Sequence, residues 1–167
     1  MARLVEGRAG VTDRIKVSVA DYAVASEGLL TTSGLGSCLA VAVYDPEDGI
    51  GSLVHPMLPH RNGDESRPPE RFVDSGIELV VGELLDGGAR RDALEAKVAG
   101  GAAIVDFDND DGSIGDRNVA AARETLADRG IDIVGEEVGG EHGRTVRVDA
   151  VTGSVAVKRT DGIETEL

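Results

Sequence analysis

The chain carries a single cysteine, Cys38, inside the glycine-punctuated run Thr32-Ser33-Gly34-Leu35-Gly36-Ser37-Cys38, and His55, one of three histidines, follows a hairpin's length later. A free thiol near pKa ~8.5 is mostly protonated at neutral pH, and the thiolate is the attacking species. An imidazole beside it takes the proton, as in cysteine–histidine hydrolases. Gly34 and Gly36 allow backbone angles that other residues resist, so amide N–H groups there could turn toward a developing oxyanion. The Thr32 hydroxyl could orient the imidazole or the substrate, the third-group role of a triad. The plainer reading is that Cys38 is a small buried hydrophobe and His55 a satisfied strand residue. Residue chemistry alone leaves both standing.

A hairpin would have to bring the thiol and imidazole together. Leu39 to Tyr44 is apolar and valine-rich, Asp45-Pro46-Glu47-Asp48-Gly49 is turn chemistry, and Ile50 to Leu58 is apolar again. A four-residue loop pairs Tyr44 with Gly49 and sets Cys38 opposite His55, with Cβ atoms roughly 5 Å apart. A five-residue loop shifts that pairing by one. Upstream, the first dozen residues read as a loose tail (1–12), Ile15 to Val19 alternates as a strand, and Tyr22 to Val24 and Leu29 to Thr32 are short extended pieces. Downstream, His60 to Pro69 is a polar loop in which His60 is solvated, and apolar spacing from Glu70 to Asp86 predicts a helix ended by Gly87-Gly88. Leu94, Ala96 and Val98 alternate as a strand running into Gly100-Gly101-Ala102. A second helix opens at an expected Ser113 N-cap and stops near Arg129-Gly130. Strands at Ile131 to Val138, Thr145 to Ala150 and Ser154 to Lys158 close the chain. Six to eight strands with two separated helices predict one α+β, layered α/β domain over 13–167.

Composition narrows the function. At 167 residues the chain suits one domain, and its net charge of −14 repels phosphate backbones and anionic membranes, so nucleic acid is not an expected partner. Only Lys16, Lys97 and Lys158 are lysines. Acidic excess, scarce lysine and few aromatics resemble the proteins of salt-loving organisms, where the charge serves solubility. No segment approaches the ~20 apolar residues of a membrane span, and the first residues lack the apolar core of a signal peptide, which predicts no direct membrane insertion and a cytoplasmic location. One cysteine excludes an internal disulfide and an all-cysteine metal cage. The acidic run Asp106, Asp108, Asn109, Asp110 and Asp111 fails the EF-hand pattern in either register and reads as a solvated loop. His55 and His60 lack a zinc-site spacing. The segment after Cys38 reads as a strand rather than the helix a phosphate loop needs. No metal or organic cofactor is expected.

The blocks Gly34-Leu35-Gly36-Ser37-Cys38-Leu39-Ala40-Val41, Tyr44-Asp45-Pro46 and His55-Pro56-Met57-Leu58-Pro59 closely resemble the CheD family of chemoreceptor glutamine deamidases. Lys97 with Gly100-Gly101-Ala102, Ile114-Gly115-Asp116-Arg117-Asn118, Val138-Gly139-Gly140 with Gly143-Arg144, and Gly153 follow in family order. The resemblance covers nearly the whole chain from Tyr22, and with the composition it suggests a member from a halophilic archaeon. It implies a β-sandwich flanked by helices, with Cys38 as nucleophile, His55 as general base and Thr32 as third residue. Thr31 lies beside Thr32, and Ser33 and Ala99 depart from the usual apolar residue and phenylalanine of their blocks. The implied activity is conversion of selected glutamines on methyl-accepting chemotaxis receptors to glutamate through a thioester. A CheC-type response-regulator phosphatase is the implied second partner. The alternative function is an adaptor that works by docking to that phosphatase or to a receptor, and a third is another thiol hydrolase or a transglutaminase.

Overall fold

The computed structural model describes residues 4–5, 14–103 and 112–167. The Asp106–Asp111 run lies outside them, as does the expected N-terminal tail apart from Leu4–Val5. In chain order the strands are β1 (Leu4–Val5), β2 (Arg14–Lys16), β3 (Tyr22–Ala25), β4 (Leu29–Leu35), β5 (Leu39–Asp45), β6 (Ile50–Val54), β7 (Glu95–Gly100), β8 (Asp132–Val138), β9 (Arg144–Asp149), β10 (Val155–Arg159) and β11 (Glu164–Glu166). The helices are α1 (Val73–Asp86) and α2 (Ile114–Asp128). One sheet runs β1-β3-β6-β5-β7-β8 and the other β11-β10-β9-β4-β2; both are mixed, with β1–β3, β7–β8 and β2–β4 parallel.

Three layers result, and β5 shows why. It is the only strand of seven consecutive buried residues among those described, because it lies centrally in the middle layer. Its Leu39, Val41 and Val43 join a core with Ile77, Val80 and Leu84 of α1 and Ala122 and Leu126 of α2. Its Ala40 and Ala42 face the other way, into a second core shared with Leu30, Val146 and Val157 of the five-stranded sheet. Both helices therefore cover the same face of the six-stranded sheet. The domain is α+β, as expected, with a sandwich of two sheets and helices on one side.

Several boundaries differ from the sequence reading. Short strands, notably β1 and β11, raise the count above six to eight. The first helix begins at Val73, not Glu70: Pro69–Arg71 form a 3-10 turn, and Phe72 is extended at φ −112° before α1 starts. The second helix matches, with the Ser113 Oγ accepting from Asp116 N–H at 3.1 Å. Lys97, conspicuous in a near lysine-free chain, ties the layers: its Nζ donates to Gly153 O at 2.8 Å and lies 5.4 Å over the Tyr44 ring. No described helix is long and apolar enough to cross a membrane.

Candidate active site

The hairpin register is the first correction. The ladder pairs Asp45 with Ile50, Tyr44 with Gly51 and Val41 with Val54, two steps from the four-residue-loop pairing and one step from the five-residue-loop pairing. The cause is a side chain. The buried Asp45 carboxylate accepts from the N–H groups of Glu47 and Asp48 at 2.9 and 3.0 Å, and Gly49 takes φ +67° to close a turn over Pro46–Gly49. The second strand then ends at Val54, where Pro56 cannot donate to a ladder. Continued one step, the ladder sets Ala40 opposite His55. Cys38 takes the diagonal position, about 7 Å away between backbones, on the same face.

His55 is completely buried between the sheets and meets Thr32 from the opposite layer, with 2.7 Å between its Nδ1 and Thr32 Oγ1. Strand parity makes the choice of threonine. Thr32 shares the buried face of β4 with Leu30, whereas Thr31 points the other way and is half-buried. The Thr32 hydroxyl donates to Val17 O at 2.7 Å. Having one proton, it must accept from His55 Nδ1–H, which leaves the lone pair on Nε2. That Nε2 is buried and has no hydrogen-bond partner. The imidazole is thus held in the tautomer of a general base.

Cys38 is half-buried at the edge of the inter-sheet core. Burial pushes its thiol above the ordinary value and pushes the His55 imidazole down to about 4. Burial thus favours the uncharged form of both groups.

The turn before Cys38 is pinned by its carbonyls. Gly36 O accepts from Ala102 N–H at 2.9 Å, Ser37 O from Asn118 Nδ2 at 2.8 Å, and Cys38 O from Gly101 N–H at 2.9 Å. Their N–H partners across the peptide planes point the opposite way, and those of Ser37 and Cys38 have no backbone acceptor among the described residues. Successive backbone N–H groups in a turn can bind an anion, and the Cys38 N–H already faces its own sulfur. Close packing enforces this shape. Gly100, at φ +108°, has no room for a Cβ, which would strike the Cys38 carbonyl oxygen. A Cβ on Gly101 would lie 2.6 Å from Val119. Arg144, 4% exposed, pairs with Glu137 and donates to Gly139 O at 2.7 Å and to Gly100 O at 3.3 Å, locking a neighbouring loop to the same strand end.

Sequence reasoning singled out Cys38, His55 and Thr32 but gave no role to Asn118 or Arg144. A signal for Asn118 was present: it is a polar residue one turn before Ala121 and Ala122 on the apolar face of a helix. His60 stands apart from the site, on the surface beside Asp74.

The family model described as CheD chemotactic sensory transduction matches residues 57–159, more than half of the chain. A Natronomonas pharaonis protein named "Probable chemoreceptor glutamine deamidase CheD" is 67% identical over 93% of this chain and 94% of its own length. Proteins of the same name from Haloarcula marismortui and Pyrococcus abyssi are 45% and 40% identical, over 90% and 91% of this chain and 89% and 95% of theirs. Identity of this extent, running through nearly the whole domain, leaves one conclusion: the chain belongs to the CheD family.

Proposed function

We propose that this protein deamidates glutamine side chains of methyl-accepting chemotaxis receptors to glutamate, with Cys38 as nucleophile, His55 as general base and Thr32 positioning the imidazole. The observation that carries the reading is the buried Val17–Thr32–His55 chain, which leaves a bare Nε2 lone pair beside a cysteine turn. The names of the relatives supply the substrate class.

In the reaction, Cys38 sulfur bonds to the glutamine Cδ as its proton passes to His55 Nε2. The oxyanion lies at the Ser37 and Cys38 N–H groups. The imidazolium proton goes to the departing nitrogen, the C–N bond breaks, and ammonia leaves a thioester. Water then attacks Cδ and gives a proton to Nε2, and the C–S bond breaks. That proton returns to sulfur, and a glutamate is left on the receptor. No step calls for a metal or organic cofactor.

The test is mass spectrometry of a chemoreceptor signalling-domain fragment incubated in high salt with wild-type protein or with Cys38→Ala. Conversion by wild type alone supports the reading. Equal conversion by Cys38→Ala refutes the cysteine mechanism, and no conversion by folded wild type favours the adaptor role. A CheC-type phosphatase is proposed as the second partner on the family resemblance, and its binding should survive Cys38→Ala in a pull-down. Added amine separates a transglutaminase, which would incorporate it.

A further inference from the structure

Asn118 is completely buried in the second turn of α2, a position where an apolar residue would serve packing. Its Nδ2 donates to two carbonyl oxygens, Ser37 O at 2.8 Å and Met57 O at 3.0 Å. Two carbonyls around one atom fix the amide's orientation, because the Oδ1 of asparagine could donate to neither. The Oδ1 itself is buried without a partner. A fully buried amide with one end unsatisfied is a poor way to stabilise a helix–sheet contact. Its donor end, however, touches the two backbone segments that carry the reacting side chains. Ser37 immediately precedes the nucleophile, and Met57 lies two residues after His55.

Geometry makes the first contact the more consequential. In a trans peptide the C=O of one residue and the N–H of the next point in opposite directions. By holding Ser37 O toward α2, Asn118 aims the Cys38 N–H away from the helix, toward the thiol of its own residue. The flanking carbonyls, Gly36 O and Cys38 O, are held by backbone N–H groups of Ala102 and Gly101. Among these three consecutive pins, Asn118 is the only side chain. From this we infer that Asn118 is a positioning residue for the oxyanion site: it sets the direction of the Cys38 N–H and so acts on the tetrahedral intermediate rather than on the thiol. The inference rests on the deamidase reading given above.

Two reactions of the same sulfur separate this role from a general structural one. Deamidation passes through an oxyanion, whereas alkylation of Cys38 by iodoacetamide is a direct displacement at carbon and forms none. With a receptor fragment as substrate, Asn118→Leu, similar in shape but without the donors, is expected to lower kcat roughly 30-fold or more, in line with the loss of an oxyanion donor. KM and the pH profile of Cys38 alkylation should stay within about twofold of wild type under the same principle, since neither depends on the oxyanion. Asn118→Asp, which keeps the shape and when protonated one donor, should fall between the two and decides the question if the leucine variant does not fold. Deamidation and alkylation falling together would overturn the inference, showing that Asn118 merely holds the turn in place; so would an unchanged kcat. Wild-type protein that is alkylated yet converts no glutamine would instead refute the deamidase reading.

Discussion

Replacing Thr32 by valine tests the tautomer argument most directly. Valine keeps the β-branched shape at a position 2% exposed and removes only the hydroxyl. Two bonds of 2.7 Å disappear, to Val17 O and from His55 Nδ1–H. A buried donor left without an acceptor costs about 1–3 kcal/mol. In the wild type that energy favours the tautomer with its lone pair on Nε2, and it also supports the imidazolium formed during attack, whose Nδ1–H still needs an acceptor. At ~1.4 kcal/mol per factor of ten, losing it should lower kcat about ten- to a hundredfold. Val17 O also loses its donor, so stability should fall by roughly 2 kcal/mol. Thr32→Ser restores the oxygen and should recover most of both. Turnover is read by mass spectrometry with a saturating receptor fragment, stability by urea denaturation in high salt, and the tautomer by nitrogen-15 chemical shifts of His55. Folded Thr32→Val protein with wild-type kcat would refute the reasoning, as would a wild-type His55 protonated on Nε2.

The folded-state value of about 4 for His55, against an ordinary 6.5, means that the unfolded chain binds the extra proton between those pH values. Stability should therefore be full above about pH 6.5 and decline by roughly 3 kcal/mol as pH falls toward 4; His55→Gln should flatten this part of the urea-melt profile. Alkylation of wild-type Cys38 should climb with pH beyond 9 without a neutral-pH plateau, since burial raises the thiol; a plateau near pH 6 would signal a preformed ion pair. Gly100→Ala, whose Cβ has no space beside Cys38 O at φ +108°, should lose more than about 2 kcal/mol in thermal or urea unfolding. Lys97→Met removes the Nζ bond to Gly153 and the contact with Tyr44 yet leaves the catalytic side chains untouched; it should cost about 1 kcal/mol with kcat unchanged, read on the same two assays.

What was legible in the chain was local. The apolar, valine-rich run from Leu39 to Tyr44, the turn residues after it and the Ser113 cap each specify their own few residues, and those elements formed, with Asp45 ending the strand and the turn closing over Pro46–Gly49. The register of the hairpin was not local in the same sense. It depends on the Asp45 carboxylate folding back over its own turn, and that moved Cys38 from directly opposite His55 to the diagonal. The pairing of Thr32 with His55 joins two sheets, and the choice over Thr31 follows from the face of β4 that meets Val17 and the core. Asn118 was visible only as a polar interruption of an apolar face, since its partners lie 81 and 61 residues away. The glycine blocks make sense only in three dimensions, where Gly100, Gly101 and Gly115 let strand end, helix start and cysteine turn approach backbone to backbone.

The burial of Cys38 bears on how the protein endures oxidants. Peroxide attacks thiolates, and the first product, a sulfenic acid, is rescued most readily by condensing with a second thiol. This chain has no second cysteine to offer. A further oxidation step to the sulfinic acid would be permanent. Burial raises the Cys38 thiol above its ordinary value, so its sulfur presents less thiolate to an oxidant than an exposed cysteine would. A thiol slower to ionise is also a longer-lived one.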